Sequence, residues 1–204
     1  MRRARGRRCR RAALAALSCS CLLAACGGGA GPRPPVVPPP APVEDPARVS
    51  WAATPRGITL NIQTSSDLNE MEGVPLGLSL CVYQVDEINR FTALAQTAAG
   101  LDTLQACSVE TIGAASARRF WLQPGQRLET DIDRAANAKN LALVAGYAHL
   151  KPELSVATFA FLLHSEKEGY IPFFRKTLYS VAHMDIVINL TAQAVSVNGV
   201  ERGQ

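Results

Sequence analysis

Three histidines and six cysteines are the side chains of this 204-residue chain best suited to metal ligation, base catalysis or nucleophilic attack. Their spacing supports none of these. His149, His164 and His183 form no His-x-x-x-His pair and no Glu-containing metal motif. The chain has no Gly-x-Ser-x-Gly elbow, no phosphate-cradling glycine loop and no Cys-x-x-Cys. His183 falls on the polar side of an alternating segment and reads as a solvated histidine, and Lys167 between Glu166 and Glu168 reads as a solvated charge run. The expectation is therefore a protein with no catalytic residue, metal, cofactor or small-molecule substrate. The stretch with chemistry to offer is "SSDLNEMEGVPLG", Ser65 to Gly77, which sets Leu68, Met71 and Val74 among Asp67, Asn69, Glu70 and Glu72. Apolar side chains in an acidic, polar setting suit recognition of another protein, since methionine adapts its shape to a partner and loops on a rigid scaffold carry binding function. The alternative is that Leu68 and Val74 fold back to cap a core.

The elements on either side of this stretch read as strands. "GITLNIQT" places Ile58, Leu60 and Ile62 on one face and Thr59, Asn61 and Gln63 on the other. "LGLSLCVYQV" aligns Leu78, Leu80 and Val82 in the same way. A connection of about 13 residues between two such strands far exceeds the usual two to five of a hairpin, and such length is commonly functional. "RRFWLQPGQRLETDI" predicts a hairpin turning at Pro124 and Gly125. "NLALVAGY" and "VATFAFLL" are apolar on both faces and predict central strands. "HMDIVINL" alternates Met184, Ile186, Ile188 and Leu190 against polar neighbours, and "AVSVNG" adds a last strand. About seven short strands separated by turns argue for a two-sheet β-sandwich. One helical insertion follows the second strand: Asp86 to Gln105 spaces Ile88, Phe91, Leu94 and Ala95 at three and four, with Gly100 near its expected stop. A second helical piece is expected at Ala135 to Lys139.

The N-terminus is of a different kind. Residues 1–11 carry seven arginines, residues 13–25 are apolar or small, and Leu23-Ala24-Ala25 leads into Cys26. That is a signal peptide, and its apolar run is shorter than the roughly 20 residues that span a membrane. The ending resembles a bacterial lipobox, which implies acylation of the Cys26 sulfur and cleavage before it; an ordinary secreted protein cut at an Ala-x-Ala site is the alternative. Removing residues 1–25 takes seven of the 21 basic residues and none of the 17 acidic ones, leaving 14 against 17 and a net charge of −3. The apparent basicity belongs to targeting, and no charge argument for nucleic acid remains. Residues 26–50 follow as the lipidated cysteine and a linker with eight prolines between Pro32 and Pro46, which cannot form a core and acts as a stiff spacer. Residues 51–204 form the expected sandwich domain. In an oxidising periplasm Cys81 and Cys107 can pair as a structural disulfide, or remain two separate buried thiols.

The order "ITLNI", "SDLN", "PLGLSLCVYQV", a helix containing Phe91, "LQPG" and "LALVAGY" resembles the lipoprotein of type VI secretion systems, the TssJ or VasD-like family. The resemblance runs over residues 57–150, with Tyr83 and Gln84 before the helix, and weakens beyond Leu163. It implies a transthyretin-like sandwich with a helical insertion, held at the periplasmic face of the outer membrane by its acyl chains. The implied partner is the periplasmic domain of the inner-membrane subunit TssM, and the implied contact is the loop between the first two strands, here Asp67, Leu68, Asn69, Glu70, Met71, Glu72 and Val74. The sequence departs from the family at Cys81, where a basic residue is common, and at Ala148-His149, so a Cys81–Cys107 bond would be its own. A different lipid-tethered binding module, of pilotin or adhesin-like kind, is the competing reading.

Overall fold

The computed structural model describes residues 38–169 and 175–201. Ten strands and four helices lie within them. β1 (Thr54–Thr64) turns Ile58, Leu60 and Ile62 to one face, all buried, as period-two alternation requires. β2 (Leu78–Val85), β3 (Ser116–Leu122), β4 (Arg127–Arg134), β5 (Asn140–Ala145), β6 (Val156–Ala160), β7 (Leu163–Glu168), β8 (Lys176–Val181), β9 (Met184–Leu190) and β10 (Val195–Glu201) complete the set. They form two four-stranded sheets, ordered β10-β9-β1-β4 and β3-β2-β5-β6, and a separate β7-β8 pair. The inward side chains of the two larger sheets, Ile58, Leu60, Leu80, Leu143, Ile186 and Ile188 among them, make one continuous core. The mainly β fold and its two-sheet core follow the expectation.

The strand partners differ from the expectation in two places. Pro124 and Gly125 do turn the chain, but β3 pairs with β2 and β4 pairs with β1, so the turn passes between sheets and is no hairpin. Phe120 and Leu122 gain more by pairing beside Leu80 and Leu78 and facing the core than by pairing with polar β4. The "VATFAFLL" segment is an edge: β6 contacts only β5 in its sheet and leaves Thr158 and Ala160 exposed, and the chain then departs into β7. β9 is the strand beside β1, and it runs parallel to it, Ile58 opposite Met184 through Thr64 opposite Leu190.

The helical insertion is also divided. α1 (Asn89–Ala95) ends at Gln96, and Thr97 opens α2 (Ala98–Gln105) by accepting the Gly100 N–H at 3.0 Å on its hydroxyl. Gly100 is therefore not a stop. It lies where α2 passes α1 so closely that a Cβ would sit 1.9 Å from the Leu94 carbonyl oxygen. Gly100→Ala is expected to lower stability by about 2 kcal/mol, because overpacking backbone against backbone outweighs the roughly 1 kcal/mol gain in helix propensity. Urea denaturation checks this, and an unchanged midpoint would refute the close crossing. The segment 135–139 is a turn rather than a helix, with Asn137 in the left-handed region at φ 61°.

A second apolar cluster lies between these helices and the outer face of β2, with Tyr83, Phe91, Leu101, Leu104 and Val144 buried. Tyr83 donates its hydroxyl to the Leu104 carbonyl at 2.6 Å, closing the end of α2, and burial raises its pKa above the ordinary phenol value. Its neighbour Gln84 faces the other way and joins the sheets, donating to Asp133 O and accepting from Ala135 N, both at 2.8 Å. Cys81 on β2 is bonded to Cys107, beside the short α3 (Val109–Ile112), with Cα atoms 5.6 Å apart. The bond closes a separation of 26 residues. Cys81→Ala with Cys107→Ala is expected to cost about 3 kcal/mol through the freedom restored to the unfolded chain. Equilibrium unfolding of the double variant measures it; a loss below about 0.5 kcal/mol would mean the helices hold without the bond.

The domain also begins before Trp51. Val43 exchanges backbone hydrogen bonds with Tyr179 of β8, Lys176 pairs with Glu44, and Val49 is buried after a 3-10 turn at Pro46–Arg48. Residues 43–50 are thus part of the folded body. α4 (Pro152–Ser155) is a single turn leading into β6.

Candidate partner-binding site

The connection between β1 and β2 is built, not loose. Its base is fastened twice: Ser65 N donates to Leu190 O and Gly125 N donates to Ser65 O, each at 2.9 Å, while Thr64 Oγ1 donates to Gln123 O at 2.6 Å. Leu68 turns inward and is fully buried in the sandwich core. Asn69, in the left-handed region at φ 50°, is also buried. Its Nδ2 donates to Gly77 O at 3.2 Å and its Oδ1 accepts from Ala148 N at 2.7 Å, which ties the connection to the segment after β5. That segment is itself held by Tyr147, whose hydroxyl donates to Ala194 O at 2.6 Å and whose pKa burial pushes up.

Beyond this base the chain makes a tight two-residue turn. Met71 and Val74 exchange both backbone hydrogen bonds at 3.0 and 2.9 Å, with Glu72 and Gly73 between them at φ 54° and 79°. Two successive positive φ values define a type I′ reversal, for which glycine at the second position is the natural residue. The result is a projecting tip on which Met71 is 42% and Val74 56% exposed, with Asp67, Glu70 and Glu72 in solvent around it.

Of the seven residues expected to contact a partner, the structure offers five. Asp67, Glu70, Met71, Glu72 and Val74 are exposed. Leu68 and Asn69 are corrected: the first caps the core and the second holds the connection in shape, so neither presents a surface. Capping therefore holds for Leu68 and fails for Val74. Cys26 lies outside the described residues.

One residue at this end was not singled out from sequence. Trp121 of β3 is 71% exposed, and it pairs across the sheet with Ser79, two residues beyond Gly77. The Arg119 guanidinium lies 5.8 Å from its ring and donates to the carbonyls of Gln105 and Ala106 at 2.6 and 2.8 Å. The signal was there in the alternation of "RRFWL": if Phe120 and Leu122 face the core, Trp121 faces out. A large exposed aromatic on an edge strand is the kind of side chain that protein interfaces favour.

The histidines are placed apart. His149 is exposed, His164 lies on β7, and His183 brings Nε2 to 3.3 Å from Thr59 Oγ1, which donates to Asp131 at 2.7 Å. Among the described residues no group of three His, Cys, Asp or Glu side chains is arranged to hold a metal ion, and no helix is long and apolar enough to cross a membrane.

These features define a β-sandwich that presents an acid-rimmed apolar tip and an exposed tryptophan. The chain belongs to the type VI secretion lipoprotein family (VasD, EvfM, TssJ), whose model matches residues 56–193. The match continues well past Leu163, where the resemblance read from sequence had faded. Among solved structures, the T6SS lipoprotein TssJ1 from Pseudomonas aeruginosa is similar at 17% identity with a TM-score of 0.52, covering 74% of this chain and 98% of that one. A likeness at that identity establishes the shared fold. Serratia marcescens Lip, a membrane-bound component of the type VI secretion system, is matched at 15% identity and TM-score 0.49, over 69% and 96% of the two chains. A structure of the T6SS TssM C-terminal domain from EAEC gives 15% and 0.49 over 70% and 98%. No curated protein matches the chain by sequence.

Proposed function

We propose that this protein is an assembly subunit anchored by acylated Cys26 at the periplasmic face of the outer membrane, where it binds the periplasmic domain of the inner-membrane subunit TssM. It works by binding, not catalysis. The observation that carries this reading is the Met71–Val74 tip, because a two-residue reversal locked at its base by Leu68 and Asn69 holds two apolar side chains in water at no gain to the fold. A preordered loop loses little conformational freedom on binding, so more of the contact energy appears as affinity. The tip carries three carboxylates and no base between Ser65 and Gly77, so the complementary surface on the partner is an apolar depression with basic residues at its rim. The prolines between the lipid and the domain give reach toward a partner rising from the opposite membrane.

Titration of the mature, lipid-free chain against the periplasmic domain of TssM tests the proposal. Saturable binding that weakens as salt is raised is expected, since rim carboxylates are screened. Absence of binding at any ionic strength would sink the TssM assignment and leave a lipid-tethered module with another partner.

A further inference from the structure

Arg134, at the end of β4, is the one charged side chain buried among the described residues, with 3% of its surface exposed. Its Nη2 donates to Ala52 O and to Thr54 Oγ1, both at 2.8 Å, and its guanidinium carbon lies 5.6 Å from the centre of the Trp51 ring. Its Nη1 is buried and makes no hydrogen bond, and none of the ion pairs formed by described residues includes it. The nearby carboxylates are engaged elsewhere: Asp133 accepts from Arg56 N at 2.7 Å and Asp131 from Thr59 at 2.7 Å. A guanidinium stays protonated even where burial lowers its pKa, as it does here, so the fold carries a desolvated charge without a counter-charge. Structures tolerate that arrangement poorly unless something else completes it.

Arg134 is part of the wall of a cavity of about 210 Å3. Thr54 and Ser50 line it from the same side, Tyr179 and Ser180 from β8, and Pro40 and Pro42 from the segment that enters the domain. No second cation and no carboxylate lines it. One positive charge in the wall, several neutral hydroxyls and apolar proline walls match a planar monoanion on a short stem. A phosphate, with its higher charge, calls for further cations that the walls lack.

We propose that this cavity is a carboxylate-binding site, with Arg134 as the charged anchor and the hydroxyls of Ser50 and Ser180 as additional donors. The carboxylate arrives either as a free short-chain organic acid or as an acidic side chain of a protein segment. Its occupation would also fasten the entry of the domain, because the same guanidinium holds Ala52 and Thr54 while residues 40–42 form the facing wall. The site is independent of the Met71–Val74 tip.

The test uses the full mature chain in detergent, isotopically labelled, titrated at constant ionic strength with acetate, with inorganic phosphate and with the peptide acetyl-Gly-Glu-Gly-amide. Acetate is expected to give saturable shifts of the Ser50, Thr54 and Ser180 amides, with phosphate at least tenfold weaker. Arg134→Met removes the charge at similar length and should weaken acetate at least tenfold. Because that change also alters the Trp51 wall, Ser180→Phe serves as a second variant that fills the cavity from β8 with Arg134 intact, and it should abolish the shifts. Peptide binding at least tenfold tighter than acetate assigns the ligand to a protein side chain; equal affinity assigns it to a free acid. Phosphate binding tighter than acetate, no saturable shift with either carboxylate, or full affinity in Ser180→Phe would overturn the proposal.

Discussion

Leu68→Asp is expected to unfold much of what Met71→Asp with Val74→Asp leaves untouched, although the three positions lie within seven residues. Leu68 is fully buried in the core between the sheets, where aspartate would lose the apolar contacts and carry a charge with no partner. The combined cost is on the order of 4 kcal/mol or more, which in a domain of this size lowers the unfolding temperature by roughly 10 °C. Met71 and Val74 stand in solvent, so the paired aspartates should move that temperature by no more than a degree or two. Their effect falls on binding: burying these side chains against a partner contributes roughly 1.5 to 3 kcal/mol each, and placing charge there should weaken TssM binding at least tenfold. Calorimetry and titration on the same three proteins separate the roles. If Met71→Asp with Val74→Asp binds as the parent does, the contact lies elsewhere, with Trp121 the next surface to change.

Cys26→Ser should move the protein from the membrane to the soluble fraction while the sandwich folds unchanged. Serine offers no sulfur for the thioether, and without it neither the diacylglyceryl group nor the cleavage that depends on it follows. Two or more acyl chains hold a protein essentially permanently, whereas one gives only marginal binding, so the loss is all or none rather than graded. The contacts made by Val43 and the residues after it lie well along the chain from Cys26 and are expected to persist. Fractionation with metabolic acyl labelling reads the outcome. A mutant still sedimenting with membranes and unlabelled would show an anchor other than Cys26.

The faces of strands were legible in the sequence, and their neighbours were not. Alternation in "ITLNI" and "MDIVINL" tells which side chains turn inward, because a pleated strand leaves no other choice. It does not tell that these two strands lie side by side and parallel, since pairing depends on the whole set of competing edges. The same gap explains the turn at Pro124–Gly125, whose local chemistry was read correctly while its strands joined different sheets. Gly100 reads as a helix stop when only one helix is considered; its purpose appears once Leu94 of the preceding helix is seen against it. In the β1–β2 connection, length marked the segment out, but composition could not say that Leu68 belongs to the core and Met71 to the surface. Arg134 gave no signal, because a lone arginine in a polar strand is ordinarily solvated and only its buried surroundings make it unusual.

The pairing of β1 with β9 governs when this domain can form. The sheet of β2, β3, β5 and β6, with the helices packed on β2, comes from one stretch of chain and can collapse as it emerges, while β4 joins β1. β1 emerges earlier than all of them, yet one of its flanks stays open until Met184–Leu190 has been delivered. Closing so long a loop is slow, and an apolar strand with an unpaired edge is prone to adhere to other chains in the interval. An exported protein crosses the membrane N-terminus first, so this strand waits while the rest of the chain is still arriving. The sheet β10-β9-β1-β4 is thus the last part of the domain to become native, and a holding chaperone has its natural target there.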